Sequence, residues 1–325
     1  MNSGIKQFNP QVDYSVLVSC YFEEQSIDEF YHRLSEAMKK LERSYEIIFV
    51  NDGSTDGTLE KLKRIFSEDP NVTAVIDFFK NAGQANAKTP AVMLARGKGL
   101  LMIDSDLQLD PEDIPLLTKK FEEGCDIVSG FRKNRQDVVS RKLPSLLANY
   151  IMRKASNSKI LDFGCTFKIY DARLVKGFGF DNFKPWRPLL VISQAQSIVE
   201  VPVNHNARKY GQSGWTFRKL FAYNMESVVN LSQVPFQVLA AMCAALSFLF
   251  VLRVALAMVF SFSILNNVTN GLILNLIVAT FLAIFAVLCV IGEFVLRNFS
   301  ALQNKPAFII KEILTKPAYP CKSEQ

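Results

Sequence analysis

The chain has 325 residues, room for one catalytic-sized domain and something smaller. Lys and Arg outnumber Asp and Glu by 37 to 31, and six cysteines are scattered without a CxxC pair, which speaks against a disulfide-stapled scaffold and for reduced thiols. A net charge of +6 would suit nucleic acid, but there is no aromatic stacking pattern and no known binding motif, so no nucleic-acid partner is expected.

The first fourteen residues are polar and hold no apolar signal-peptide core. Tyr14–Cys20 reads as a strand. Ser26–Leu41 reads as a helix, with Ile27, Phe30, Leu34, Ala37, Met38 and Leu41 near the 3.6 period. Tyr45–Val50 is a strand that leads through Asn51-Asp-Gly-Ser54 into a helix over Thr55–Phe66. Val72–Phe79 and Leu100–Ile103 are further strands with a helical segment between them. Glu112–Glu123 is a helix and Asp126–Gly130 a strand. This alternation predicts an α/β domain built on a mostly parallel sheet, with ligands bound beyond the carboxyl ends of the strands. Glu23, Asp52 and Asp104 each fall just past a strand end, so one acidic rim is expected.

Asp104-Ser-Asp-Leu-Gln108 would bring two carboxylates and an amide to one point. Such hard oxygen donors suit Mg²⁺ or Mn²⁺ and, through it, a diphosphate; an ordinary Asx-rich turn is the plainer alternative. Asp52 can accept from a base N–H or a ribose hydroxyl, or serve only the turn, while Asp56 or Thr55 caps the next helix. Neither GxGxxG nor GxxxxGK[ST] is present, which disfavours a dinucleotide fold and a P-loop. Arg132, Lys133, Arg135, Arg141 and Lys142 follow the last strand. They could grip phosphate oxygens or form a solvated basic face.

Mean hydropathy is +0.13, and the apolar excess lies toward the C-terminus. Residues 216–235 carry Phe217, Leu220, Phe221, Met225, Val228, Val229 and Leu231 beside Arg218 and Lys219, as an interfacial amphipathic helix would. Residues 236–297 predict a two-helix transmembrane hairpin, with helices near Val238–Phe262 and Leu272–Leu296. No charged residue occurs between Val254 and Gly292. Flanking Arg218, Lys219, Arg297, Lys305, Lys311 and Lys316 put both ends in the cytoplasm. Arg253 falls inside the first span. Residues 298–325 are expected as a cytoplasmic tail, with Pro306–Leu314 (Phe308, Ile309 and Ile310 beside Lys311) as a second interfacial element.

Tyr21-Phe-Glu-Glu24, Val50-Asn-Asp-Gly-Ser-Thr-Asp56, Asn81-Ala-Gly-Gln84, Asp104-Ser-Asp-Leu-Gln108, Arg132–Asp137 with Arg141-Lys142, Asp162-Phe-Gly-Cys-Thr-Phe-Lys168, Arg208–Ser213, Gly292-Glu293 and Lys305-Pro306 occur in that order. Together they resemble the inverting GT-A glycosyltransferases that load sugars onto polyprenyl phosphate, a branch that includes dolichyl-phosphate mannose synthases and bactoprenol glucosyltransferases. The resemblance implies a GT-A domain over residues 1–215, a nucleotide-sugar donor (UDP-linked), a polyprenyl (undecaprenyl) phosphate acceptor and a lipid bilayer as partner. It also implies a homo-oligomer, a tetramer, anchored as a multi-pass protein in the cytoplasmic membrane. Donor-binding residues would be Tyr21, Glu23, Asp52, Asn81, Gln84, Asp104, Arg208 and Ser213. Asp104, Asp106 and Gln108 would hold Mg²⁺ or Mn²⁺. Asp162, Arg132, Arg135 and Arg141 would serve the acceptor and the reaction.

The chain departs from the family pattern at several points. Ser19 and Phe22 replace a Pro and an Asn, Asp110-Pro111 stands for Pro-Pro, Gly214 replaces a basic residue, and Lys88 and Pro90 enter a small-residue helix. Two other classes stay open: a processive polysaccharide synthase, although Trp186-Arg187 reverses the Arg-Trp of that group's motif, and a membrane scaffold without activity.

Overall fold

The computed structural model describes residues 8–133, 152–153, 160–207, 209–210 and 305–316, and single positions between 245 and 298. The chain divides into two units, Met1–Ser227 with Pro306–Gln325, and Val228–Lys305.

The first unit is built on an eight-stranded sheet. In chain order the elements are β1 (Val12–Cys20), α1 (Ile27–Lys40), β2 (Tyr45–Asn51), α2 (Thr58–Glu68), β3 (Val72–Phe78), α3 (Gln84–Leu94) and β4 (Gly97–Asp104). A 3-10 turn at Pro111–Asp113 then leads into α4 (Ile114–Glu122) and β5 (Ile127–Arg132). Last come β6 (Lys168–Asp171), α5 (Ala172–Lys176), α6 (Pro188–Gln194), β7 (Ile198–Val203) and β8 (Ile310–Thr315). The strand order is β7-β5-β6-β4-β1-β2-β3-β8. β1, β2, β3 and β4 pair in parallel, as do β5 and β7, whereas β6 and β8 run antiparallel to their neighbours. This is the mostly parallel α/β sheet expected from the alternating pattern.

Alternation along the strands feeds two cores. In β1, Tyr14, Val16, Val18 and Cys20 face one side and Leu17 the other. The first core takes Phe30, Leu34 and Met38 of α1, Leu62 and Ile65 of α2, and Ile114, Leu117 and Phe121 of α4. The second takes Ala87, Ala91 and Val92 of α3 with Val175 of α5 and Val191 and Ile192 of α6. Both faces are therefore covered, which is why β2 and β3 are buried at every position. At the amino-terminal end of the sheet, the fully buried Glu46 accepts from Arg96, Ser15 and Thr73.

One expectation for the tail is overturned. Residues 310–315 form β8, antiparallel on the edge of β3, instead of lying in a membrane interface. Phe308, 6% exposed, stacks on Phe78 with ring centroids 4.9 Å apart.

The interfacial helix over 216–235 lies outside the described residues, as does most of the hairpin over 236–297. Among the described residues no helix is long and apolar enough to cross a membrane. In the second unit, the described helical positions Ile277, Phe281, Ile284, Leu288, Ile291 and Val295 are exposed apolar side chains spaced by three and four.

Candidate active site

The pairing directions place the carboxyl ends of β1 to β5 and β7, and the entry to β6, along one edge of the sheet. Tyr21, Asp52, Asn81, Asp104 and Arg132 each sit at or just past one of those ends, and Asp162 precedes β6. Asp52 and Asp104 thus lie on one rim, as the sequence suggested, with Arg132 at the end of β5 on the same edge.

Asp104, the last residue of β4, takes three donors. Its Oδ1 accepts from the Gln84 amide at 2.6 Å and from the Lys88 ammonium at 3.3 Å, and its Oδ2 accepts from the Thr166 hydroxyl at 2.5 Å. Gln84 and Lys88 reach the same oxygen because they lie one turn apart on α3. Pro90 does not break α3, which continues to Leu94. Asp106 accepts the Gln108 amide at 3.1 Å, closing a tight turn in which Leu107 has φ of +59°. A branched, buried side chain in that region is strained and persists only where its surroundings hold it. Here Leu109 bridges to His205, the Asn206 amide donates to the Gln108 carbonyl at 2.8 Å, and Arg33 grips Asp110 at 2.6 Å. The turn is tied down on both sides.

Asp52 is 2% exposed. Its oxygens accept from the amides of Ala82 at 2.7 Å and Gly83 at 3.0 Å, and from the Asn81 side chain at 2.9 Å. Burial pushes its carboxyl up to about 6, against the pull of the two backbone amides. The carboxylate that the sequence offers to a base or ribose is therefore also the anchor of the 81–83 loop. Gly53 explains why that loop lies so near. At φ of +69° it leaves no room for a Cβ, which would sit 2.5 Å from the Lys80 carbonyl carbon.

Arg132 and Asp162 come together. The guanidinium donates twice, Nε to Oδ2 at 2.7 Å and Nη2 to Oδ1 at 2.8 Å, with the two side chains 14% and 8% exposed. Gly164 makes space for this pair, since a Cβ there would meet Arg132 Nη2 at 2.9 Å. Nε and Nη2 of Arg132 are both engaged by Asp162 here, the two atoms that a two-point grip on phosphate would use. Lys168, at the start of β6, is buried nearby and donates to the Cys165 carbonyl. Burial draws its ammonium below the usual lysine range.

The other expected residues are placed as follows. The Tyr21 ring is exposed and packs edge-on against Phe22, itself at φ of +56°. Glu23 accepts from the Ser26 hydroxyl at the start of α1. Asp56 accepts the Thr58 amide at 3.2 Å in a local turn, while the cap position of α2 is Gly57 and no side chain caps it, so the capping expected from Asp56 or Thr55 is not found. Arg135, Arg141, Arg208 and Ser213 lie outside the described residues. No group of three or more His, Cys, Asp or Glu side chains among the described residues is arranged to hold a metal. The expected set, two carboxylates and an amide, is of a different kind.

The sequence model of glycosyl transferase family 2 matches residues 15–179, half of the chain. The chain belongs to that family. Undecaprenyl-phosphate 4-deoxy-4-formamido-L-arabinose transferase of Proteus mirabilis is 28% identical to it over 92% of this chain and 93% of its own. The protein of the same name from Klebsiella pneumoniae is 27% identical over 98% of both. Among solved structures, TarS of Staphylococcus aureus in complex with UDP-GlcNAc aligns with a TM-score of 0.46 at 19% identity, covering 66% of this chain and 65% of that one. Glucosyl-3-phosphoglycerate synthase of Mycobacterium tuberculosis, crystallised with Mn²⁺ and UDP, aligns at 0.47 with 18% identity, covering 67% and 77%.

Several residues that shape the site of this family 2 glycosyltransferase were not singled out as functional by sequence. Lys88 read as an intruder in a small-residue helix, yet the helical spacing from Gln84 to Lys88 was the signal that both reach one point. Thr166 sat unassigned within the 162–168 motif. His205 and Asn206 carried no signal, since they meet the Gln108 loop only through the sheet.

Proposed function

We propose that this glycosyltransferase moves a sugar from a nucleotide-sugar, UDP-linked, to polyprenyl phosphate at the cytoplasmic face of a membrane, inverting the anomeric configuration. One observation carries the reading: Asp104 with Gln84 and Thr166, the Asp106–Gln108 turn, Asp52 with its loop and the Arg132–Asp162 pair gather on one rim. They do so in a chain that aligns almost end to end with undecaprenyl-phosphate sugar transferases. The acceptor chemistry agrees with the geometry. A phosphate monoester has a second pKa near 6, so it is largely ionised at neutral pH and needs no strong base. Asp162, engaged by Arg132, then orients the acceptor side of the site and does not have to remove a proton. The phosphate oxygen attacks the anomeric carbon opposite the departing nucleoside diphosphate, which leaves with the electron pair of the broken C–O bond. Arg135, Arg141 and Arg208 are assigned to the phosphates of acceptor and donor.

The rim offers oxygen donors of the kind a hard cation takes, with Asp106 and Gln108 only half-buried beside Asp104. Mg²⁺ or Mn²⁺ on these residues would neutralise the charge that develops on the leaving diphosphate. The membrane part of the reading keeps its boundaries: an interfacial helix over 216–235, a two-helix hairpin over 236–297, and the catalytic domain on the cytoplasmic side. The exposed apolar stripe from Ile277 to Val295 suits a helix covered by lipid or by another helix.

The processive-synthase alternative has no support from Trp186. That ring is buried in the core against Tyr170 and Phe180, and its amide donates to Thr89. Radiolabelled UDP-sugars offered with undecaprenyl phosphate test the proposal. Label should pass into an organic-soluble lipid, and EDTA should stop the transfer until Mg²⁺ or Mn²⁺ is restored. An aqueous polymer would indicate the synthase, and no product with any sugar the scaffold.

A further inference from the structure

The turn after β1 holds a phenylalanine in a left-handed conformation. Phe22 has φ of +56°, a region that a bulky side chain adopts only under constraint. The neighbouring loop supplies that constraint. The Phe22 amide donates to the Ser54 hydroxyl at 3.1 Å, the Glu23 amide to the Thr58 hydroxyl at 3.0 Å, and the Gly57 amide to Glu24 Oε2 at 3.0 Å. The 21–24 turn is thus stitched to the loop that leaves β2. Asparagine, which stands at this position in the family pattern, tolerates such a φ. Burial does not account for the phenylalanine either, because it is 49% exposed. Its ring meets that of Tyr21, itself 46% exposed, with centroids 4.5 Å apart and planes at 69°. Two exposed rings therefore form a corner on the rim.

Strand order says which part of a donor reaches that corner. Between β7 and β8 the sheet runs β5-β6-β4-β1-β2-β3. Arg132 and Asp162 stand on the β5–β6 side, and Asp104 stands at the end of β4 in the middle. Tyr21, Phe22, Asp52 and Asn81 follow β1, β2 and β3. With the acceptor phosphate on the first side and the diphosphate in the middle, the nucleoside extends over the ends of β1 to β3. We propose that Phe22 is a donor-binding residue that stacks on the nucleobase, with Tyr21 closing the corner at the edge of the base. The proposal rests on the nucleotide-sugar reading above and deepens it by a side chain outside the family pattern. A base offers a π-face that an exposed aromatic ring can cover, and such stacking tolerates any base. Fold and site then favour different residues at position 22: the backbone suits asparagine, and the ligand suits a ring.

The test is binding to the full-length, detergent-solubilised protein with Mg²⁺ present, UDP being titrated by calorimetry and inorganic pyrophosphate run as its competitor. Phe22→Asn relieves the backbone and removes the ring. It should melt at the wild-type temperature or above it, and weaken UDP binding about 10-fold, the scale of one base–aromatic contact. Pyrophosphate has no base and should keep its wild-type inhibition constant. Phe22→Tyr should hold UDP within about 3-fold of wild type. The uracil absorbance of UDP should drop on binding to wild type and Phe22→Tyr, and not on binding to Phe22→Asn. Phe22→Gly, with the same backbone freedom and no ring, repeats the comparison where Phe22→Asn does not fold. Equal UDP affinity in wild type and the ring-less variant overturns the role of Phe22 and leaves the donor reading intact. A loss of UDP and pyrophosphate by the same factor also overturns it, because the ring would then only hold the loop. Wild-type protein that binds neither UDP nor pyrophosphate sinks the donor reading and this proposal with it.

Discussion

Arg132 and Asp162 show how one pair can serve the fold and the site together. Removing the guanidinium takes two charged hydrogen bonds from a carboxylate that is 8% exposed, and breaking a buried ion pair by removing one partner costs about 3–5 kcal/mol. Arg132→Ala should therefore lower stability by that order in a denaturant titration, besides losing transfer. The double variant Arg132→Met/Asp162→Leu should recover most of the stability and none of the activity. If the single variant unfolds at the wild-type midpoint, the pair is not the buried contact described. Asp52 makes a prediction about pH. Its folded pKa, about 6, lies above the ordinary 3.8, so protonation favours the folded state. This contribution is fully present below pH 4 and is lost as the pH rises through about 6. The Tm difference between wild type and Asp52→Asn should shift in favour of wild type as the pH falls from 8 to 5. A difference that stays constant over that range would contradict the burial-driven shift.

At the scale of elements, the loops that leave β2 and β3 behave as one unit. Gly53 and the Lys80–Asn81 backbone are in contact, and Asp52 is bonded to the 81–83 loop. Gly53→Ala meets both a left-handed φ and a backbone clash at 2.5 Å, whereas Gly83→Ala meets only the left-handed φ of +91° with open space around it. Gly83→Ala should cost about 1–3 kcal/mol. Gly53→Ala should cost clearly more and also raise the donor KM, because the rim residues Asn81 and Gln84 move with the loop. Equal costs in thermal unfolding would show that the close approach does not limit position 53. The sequence made the turn legible through Asn51-Asp-Gly-Ser54, but not its partner, which lies 27 residues later and meets it only across the parallel β2–β3 pairing.

At the scale of the whole molecule, the sheet is closed on its β3 edge by a strand from the far end of the chain. Phe308→Ala should cost about 3–5 kcal/mol, the range for a buried aromatic cut to Ala, read from the denaturation midpoint. A change under about 1 kcal/mol would mean that the edge does not depend on the C-terminal segment. The proposed membrane topology makes its own prediction. Detergent should be needed to extract the protein, and a protease confined to the periplasmic side should reach at most the loop over 266–271. Cleavage within residues 8–133 from that side would overturn the topology.

The sequence by itself determined the alternation of β1 to β5 with their helices, because hydrophobic period and turn residues act over ten or fifteen neighbours. It also placed Asp52, Asp104 and Arg132 at strand ends, and the short motifs marked the family. Tertiary structure alone decided which of these groups face one another. Arg132 meets Asp162 thirty residues away, Lys88 and Thr166 share Asp104 from opposite sides, and Ile310–Thr315 becomes a strand because β3 offers an unpaired edge. Such partnerships depend on strand order and register, and on the charge that each buried group must find once water is excluded, and neither is written in local spacing.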